Sequence, residues 1–102
     1  MDVDAVAAIA LGFDSVRESR AKGLRAWRFR GRLVARQVDD EHVVIRTGFA
    51  DRDRLLRRAP TTFSVPKRFA RHMMVVADFA AGEESAITDA LYAAWQLQSE
   101  PD

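Results

Sequence analysis

The residues best placed to do chemistry in this chain are arginines. Residues 27–36 read Trp-Arg-Phe-Arg-Gly-Arg-Leu-Val-Ala-Arg, with a guanidinium at almost every second position. Alternation of period two places Arg28 and Arg30 on one face of a strand and Trp27 and Phe29 on the other. A guanidinium is a planar fork that pairs bidentately with phosphate or carboxylate. Arg32, Arg36 and Arg46 extend the series unless Gly31 reverses the phase. Val34 and Val44 share that phase. A second basic stretch supplies Lys67 and Arg68, with Arg71, around Pro66 and Phe69. Alternate side chains on a strand stand about 6.6 Å apart, close to the ~6.8 Å that two successive nucleotides span along a duplex axis. Phosphate contact is the chemistry this pattern offers, with Arg28, Arg30, Arg32, Arg36, Arg46, Lys67 and Arg68 as the candidate nucleic-acid contacts. The plainer reading is a wet sheet face, where arginine stems cover the strands and their heads reach water. A protein–protein patch is a third.

Other chemistries find little to work with. The chain has no cysteine, so it has no disulfide, thiolate zinc site or cysteine nucleophile. No serine lies in a Gly-x-Ser-x-Gly turn. His42 and His72 stand thirty residues apart, which matches no metal-ligand spacing. Asp39-Asp40-Glu41 reads as a solvated hairpin turn, lacking the glycine and downstream acids of a calcium loop. The glycines form neither a P-loop nor a dinucleotide fingerprint. The expectation is a protein without catalytic residues, metal or cofactor.

The net charge of +1 conceals strong blocks. Residues 1–16 carry −3, residues 17–36 carry +7, residues 37–53 carry −3, residues 54–71 carry +6 and residues 72–102 carry −6. Fourteen of the sixteen basic residues are arginine, a bias that phosphate recognition and an arginine-favouring genome both explain. The 102 residues make one domain, 1–102. Val6 to Leu11 is too short an apolar run to cross a membrane and lacks a basic flank, so a cytoplasmic protein is expected.

The elements that must hold these side chains follow from periodicity. Val3, Val6, Ala7, Ala10 and Phe13 form a helical stripe capped at Asp2 or Asp4 and closed near Gly12. Residues 14–23 read as loop. Leu24 to Arg30 is a strand, and Gly31 is a turn or a bulge. Arg32 to Val38 and His42 to Thr47 form a hairpin. Asp51 caps a short helix that Pro60 stops, with Arg54, Arg57 and Arg58 along one side. Thr61 to Val65 is a short strand, His72 to Phe79 another, and Glu83 to Gln98 a helix with Ile87, Leu91 and Trp95 in register. The order is helix, two or three strands, helix, one or two strands, helix. It predicts an α+β fold in two layers, an antiparallel sheet with helices on one face.

Four pieces in this order resemble the MmcQ/YjbR family of small bacterial proteins: AWRFRGRLVAR (26–36), DRDRLLRRAPTTF (51–63), FARHMMVV (69–76) and LYAAW (91–95). Together they span residues 26–95. The resemblance implies a two-layer α+β fold like that of secretion chaperones, DNA binding, and no defining set of catalytic residues. Double-stranded DNA is the expected partner. The alternative is an interaction module, a homodimer or a complex with another protein, using the arginine face or the Met73/Met74 strand.

Overall fold

A computed structural model describes residues 1–100. The chain forms α1 (Val3–Leu11), β1 (Val16–Ala21), β2 (Leu24–Phe29), β3 (Arg32–Gln37), β4 (His42–Arg46), α2 (Phe49–Arg58), β5 (Phe63–Ser64), β6 (Met74–Asp78) and α3 (Glu84–Ser99). A 3-10 turn, Lys67–Phe69, joins β5 to β6. The six strands form one antiparallel sheet in the order β1-β2-β3-β4-β6-β5. This is the α+β architecture expected.

The three helices share one side of that sheet. Val6 and Ala10 of α1, Leu55 of α2, and Ile87, Leu91 and Ala94 of α3 pack with Trp27, Ala35, Ile45 and Val75 in a single core. Trp27, Ile45, Ile87, Leu91 and Val75 are fully buried, each worth about 1.5–3 kcal/mol of hydrophobic transfer or more. Asp2 begins α1, accepting from the Ala5 amide at 2.8 Å. Among the described residues the other side of the sheet carries no helix. The 3-10 turn reaches it, laying Phe69 on Val44 and Val76, with Val38, Val65 and Met74 around them. Among the described residues no helix is long and apolar enough to cross a membrane.

Residues 14–23, expected as loop, contain a strand. β1 pairs with β2 from Val16↔Phe29 to Ala21↔Leu24. As the edge strand it buries little beyond Val16, so its sequence looks polar throughout. Four strands therefore lie between α1 and α2. Two tight turns make this possible. Lys22 and Gly23 have φ of 54° and 79°, and Arg30 and Gly31 have φ of 47° and 84°. Positive φ at both central residues is the type I′ geometry that matches strand twist, and glycine supplies it at the second position without strain. Gly31 thus resolves as a turn.

A bulge lies just beyond it. Trp27 faces Ala35 but Arg28 faces Leu33, leaving Val34 as an extra residue in β3. Val34 and Ala35 both turn into the helix-side core. The bulge changes the phase of β3, so Arg32 and Arg36 fall on opposite sides although their spacing is even. The expectation that Arg32 and Val34 share a face with Arg36 is corrected by this one residue. A smaller correction concerns α2. Gly48 occupies its cap position and makes no side-chain cap, while Asp51 lies in the first turn and pairs with Arg54 at 2.7 Å.

Candidate nucleic-acid interface

The two faces of β2 hold arginines in opposite circumstances. Arg25 points to the helix side. Its Nε donates to Glu18 at 3.0 Å and its Nη1 to Asp4 of α1 at 2.6 Å. The indole Nε1 of Trp27 donates to the same Glu18 oxygen at 2.9 Å. Burial pushes the Glu18 carboxyl up, but hydrogen bonds from Arg25 and Trp27 outweigh it and hold the group below its ordinary range. Glu18 therefore has its charge committed to the helix side.

Arg28 points the other way. It stands directly across from Arg17 of β1, and its Nη1 donates to Ser19 Oγ at 3.0 Å. Ile45 faces Ala35, so Arg46 of β4 lies level with the bulge and with Arg28. Arg46 pairs in turn with Met74 of β6. Arg17, Arg28 and Arg46 thus form a row across the strands, spanning about 14 Å at ~4.8 Å per strand. Arg36 lies one step away, opposite Ala26 and Val44. Among the described residues none of these four arginines has an ion-pair partner within 4.0 Å. The Nε of Arg46 is buried and has no hydrogen-bond partner.

The second basic stretch meets this face at Phe69. The Arg36 guanidinium lies 5.9 Å from the Phe69 ring centroid and that of Arg68 lies 4.8 Å from it. Both distances suit cation–π attraction. Lys67 and Arg68 are exposed. Arg52 shapes this loop from α2, its guanidinium donating to the carbonyls of Phe69, Ala70 and His72. Two further arginines of α2 behave differently. Arg54 is paired within its helix, and Arg58 pairs with Asp89 at 2.7 Å and Glu83 at 3.8 Å.

Two shallow depressions lie along the arginine row. The larger, about 460 Å³, is lined by Ser15, Arg17, Glu18, Ser19, Arg28, Arg30 and Gly31. The smaller, about 210 Å³, includes Ser19, Ala26, Arg28 and Arg36. They meet at Arg28 and Ser19. Asp14 reaches the Ser15 hydroxyl at the edge of the larger one, whereas Asp78 and Asp39 sit away from both. Asp78 faces His42, at the opposite end of β4 from Arg46, and accepts from the Ala81 amide at 2.9 Å. Asp39, in the neighbouring turn, is held below the usual carboxylate range by the Glu41 amide and the His42 ring.

Of the seven candidates read from the sequence, Arg28, Arg36 and Arg46 share the helix-free face, and Arg68 joins them with Lys67 beside it. Arg30 occupies the β2–β3 turn, stacked 5.1 Å over Phe29, and reaches the larger depression from its rim. Arg32 lies elsewhere. Its Nη1 donates to the carbonyls of Gln98 and Glu100 at 3.2 and 3.5 Å, complementing the negative end of α3. Arg17 escaped the sequence reading because its strand did. The available signal was a pair of basic-glycine dipeptides, Lys22-Gly23 and Arg30-Gly31, eight residues apart, which is the rhythm of successive hairpins. Among the described residues no group of three or more histidines and acids gathers as a metal site. In comparisons with known proteins, no family model, curated protein or solved structure matches this chain.

Proposed function

We propose that this protein is a cytoplasmic, non-enzymatic DNA-binding domain of the MmcQ/YjbR type that grips duplex phosphates with the helix-free face of its sheet. One observation carries the reading. Arg25, Arg32 and Arg58 on the helix side are matched to carboxylates or helix carbonyls, whereas Arg17, Arg28, Arg36 and Arg46 gather on the uncovered side with no ion-pair partner among the described residues. Such a row costs stability through self-repulsion and gains only when an anion arrives. Its length of about 14 Å covers about four phosphate steps of ~3.4 Å along one strand. The contacts are to phosphate, so sequence preference is weak.

Affinity for a duplex, measured across salt concentration, tests this. Four phosphate contacts give a log–log slope near −3.6, at about −0.9 per contact. Arg28→Ala is expected to flatten that slope by about one unit. Arg58→Ala makes the same change in net charge on the helix side and is expected to leave the slope unchanged. Undetectable binding at low salt, or equal effects of the two substitutions, refutes the reading. A second reading has its own support, since Val38, Val65 and Met74 leave apolar surface around Phe69 on this same face. A stable dimer by sedimentation, with no duplex binding, would establish that protein interface instead.

A further inference from the structure

We propose that the depression at the β1–β2 end of the sheet is a discrete pocket for a phosphomonoester dianion. The idea deepens the phosphate-binding reading of this face but stands on its own geometry. A phosphodiester needs one positive partner, and a row of arginines serves it. Here three guanidinium-bearing residues, Arg17, Arg28 and Arg30, line one depression. Arg17 and Arg28 are forced together by cross-strand register, and Arg30 borders the depression from the type I′ turn, its guanidinium 5.1 Å over the Phe29 ring. A terminal phosphate bears about −1.5 to −2 at neutral pH and offers three acceptor oxygens, which suits several guanidinium forks at once.

The rest of the lining fits an anion. Ser19 Oγ accepts from Arg28, so its own proton is free to donate into the depression. Ser15, held at a φ of 60°, lies at the edge with its hydroxyl donating to Asp14 Oδ2 at 3.4 Å, so Ser19 is the hydroxyl left to serve the anion. Glu18 also lines the depression, but its carboxylate is engaged on the opposite side of the sheet by Arg25 and Trp27. The volume of about 460 Å³ greatly exceeds one phosphate, so the group would enter as the end of a larger molecule as readily as alone. A phosphorylated DNA strand end and free phosphate share this chemistry.

Two arms test the pocket and separate its sources. In the first, inorganic phosphate is titrated against the protein while backbone amides are followed by NMR. Saturable shifts confined to residues 15–19 and 28–31 are expected, and Arg17→Ala should abolish them. In the second, a linear duplex with 5′-phosphates is compared with the same duplex bearing 5′-hydroxyls, and a closed circular duplex serves as DNA without ends. A preference of about tenfold for the phosphorylated ends, the worth of one charged hydrogen bond, is expected, and Arg17→Ala should erase it. Arg17→Lys keeps the charge without the fork and should restore part of the response. A response in either arm supports the pocket and names its source. The pocket is overturned if phosphate gives no saturable shift and both linear duplexes bind equally, or if either response survives Arg17→Ala. Loss of binding to the circle alone counts against the duplex reading and leaves the pocket intact.

Discussion

Arg25 and Arg28 are three residues apart on one strand and do opposite things. Arg25 is half-buried under α1, closes a network with Glu18, Asp4 and Trp27, and has its charge matched. Arg28 is also half-buried, yet it faces another arginine and a serine hydroxyl. Residue type is the same, and so is the backbone. What differs is the partner that register and helix packing bring across from each. An arginine that completes a folded network is spent on stability. One set against a like charge keeps its binding capacity for something outside the molecule.

The sharpest way to break this contrast is to empty each side in turn. Trp27 is fully buried at the centre of the helix side. Trp27→Ala is expected to cost about 3–5 kcal/mol, the range for deleting a buried aromatic side chain. Arg28→Ala, one residue along, should stay within about 0.5 kcal/mol, as surface changes do. Denaturant unfolding of both variants checks the pair. If Arg28→Ala proves as costly as a core change, the arginine row is structural and the functional reading fails.

Next in size is Glu18→Ala. It strands the Arg25 guanidinium and the Trp27 indole together, and removing an acceptor from charged hydrogen bonds costs about 1.5–3 kcal/mol. The same carboxylate gives a pH signature. Its folded form releases its proton more readily than the unfolded chain does, since the hydrogen bonds from Arg25 and Trp27 outweigh burial. The stability it contributes is therefore complete above the unfolded value of about 4.3 and disappears as pH falls through the lower folded value. Unfolding measured between pH 6 and 3 should show a steeper acid decline in the wild type than in Glu18→Gln. Equal declines would mean that Glu18 is not the matched half of this comparison.

How far the sequence foretold these two sides depends on local pattern. The alternation of Trp27 and Phe29 with Arg28 is visible in the residue types alone, so the faces of β2 were legible. The terminal helix was too, because Ile87 and Leu91 repeat at helical spacing. β1 was not, because an edge strand with one buried residue leaves no period to detect. Arg32 was misplaced because the two-residue turn at Arg30 and Gly31 sets it opposite Phe29, and Arg36 regains the open face only through the one extra residue of the bulge, whose cost is settled by how Val34 and Ala35 pack against the helices, far away in the chain. The convergence of Arg68 with Arg36 depends on Phe69 finding Val44 and Val76, a contact between distant segments that no local signal encodes.

The smallest expected effect is also the most discriminating, because its sign is unusual. Arg17 is exposed on an edge strand and stands opposite Arg28 without a carboxylate partner among the described residues. Like charges directly across a ladder are destabilising, by a magnitude of about 0.2–1 kcal/mol for such pairs. Arg17→Thr removes the repulsion and installs a residue that favours strands, so the variant should be more stable than the wild type by that amount. The gain should shrink as salt is added, since screening already weakens the repulsion in the wild type. Binding should move the other way, with weaker attachment to duplex DNA and no response to phosphate. A substitution that strengthens the fold while weakening the anion contact would show that the charge is retained against the interest of stability. A destabilised Arg17→Thr would instead place Arg17 among the arginines that serve the fold, beside Arg25.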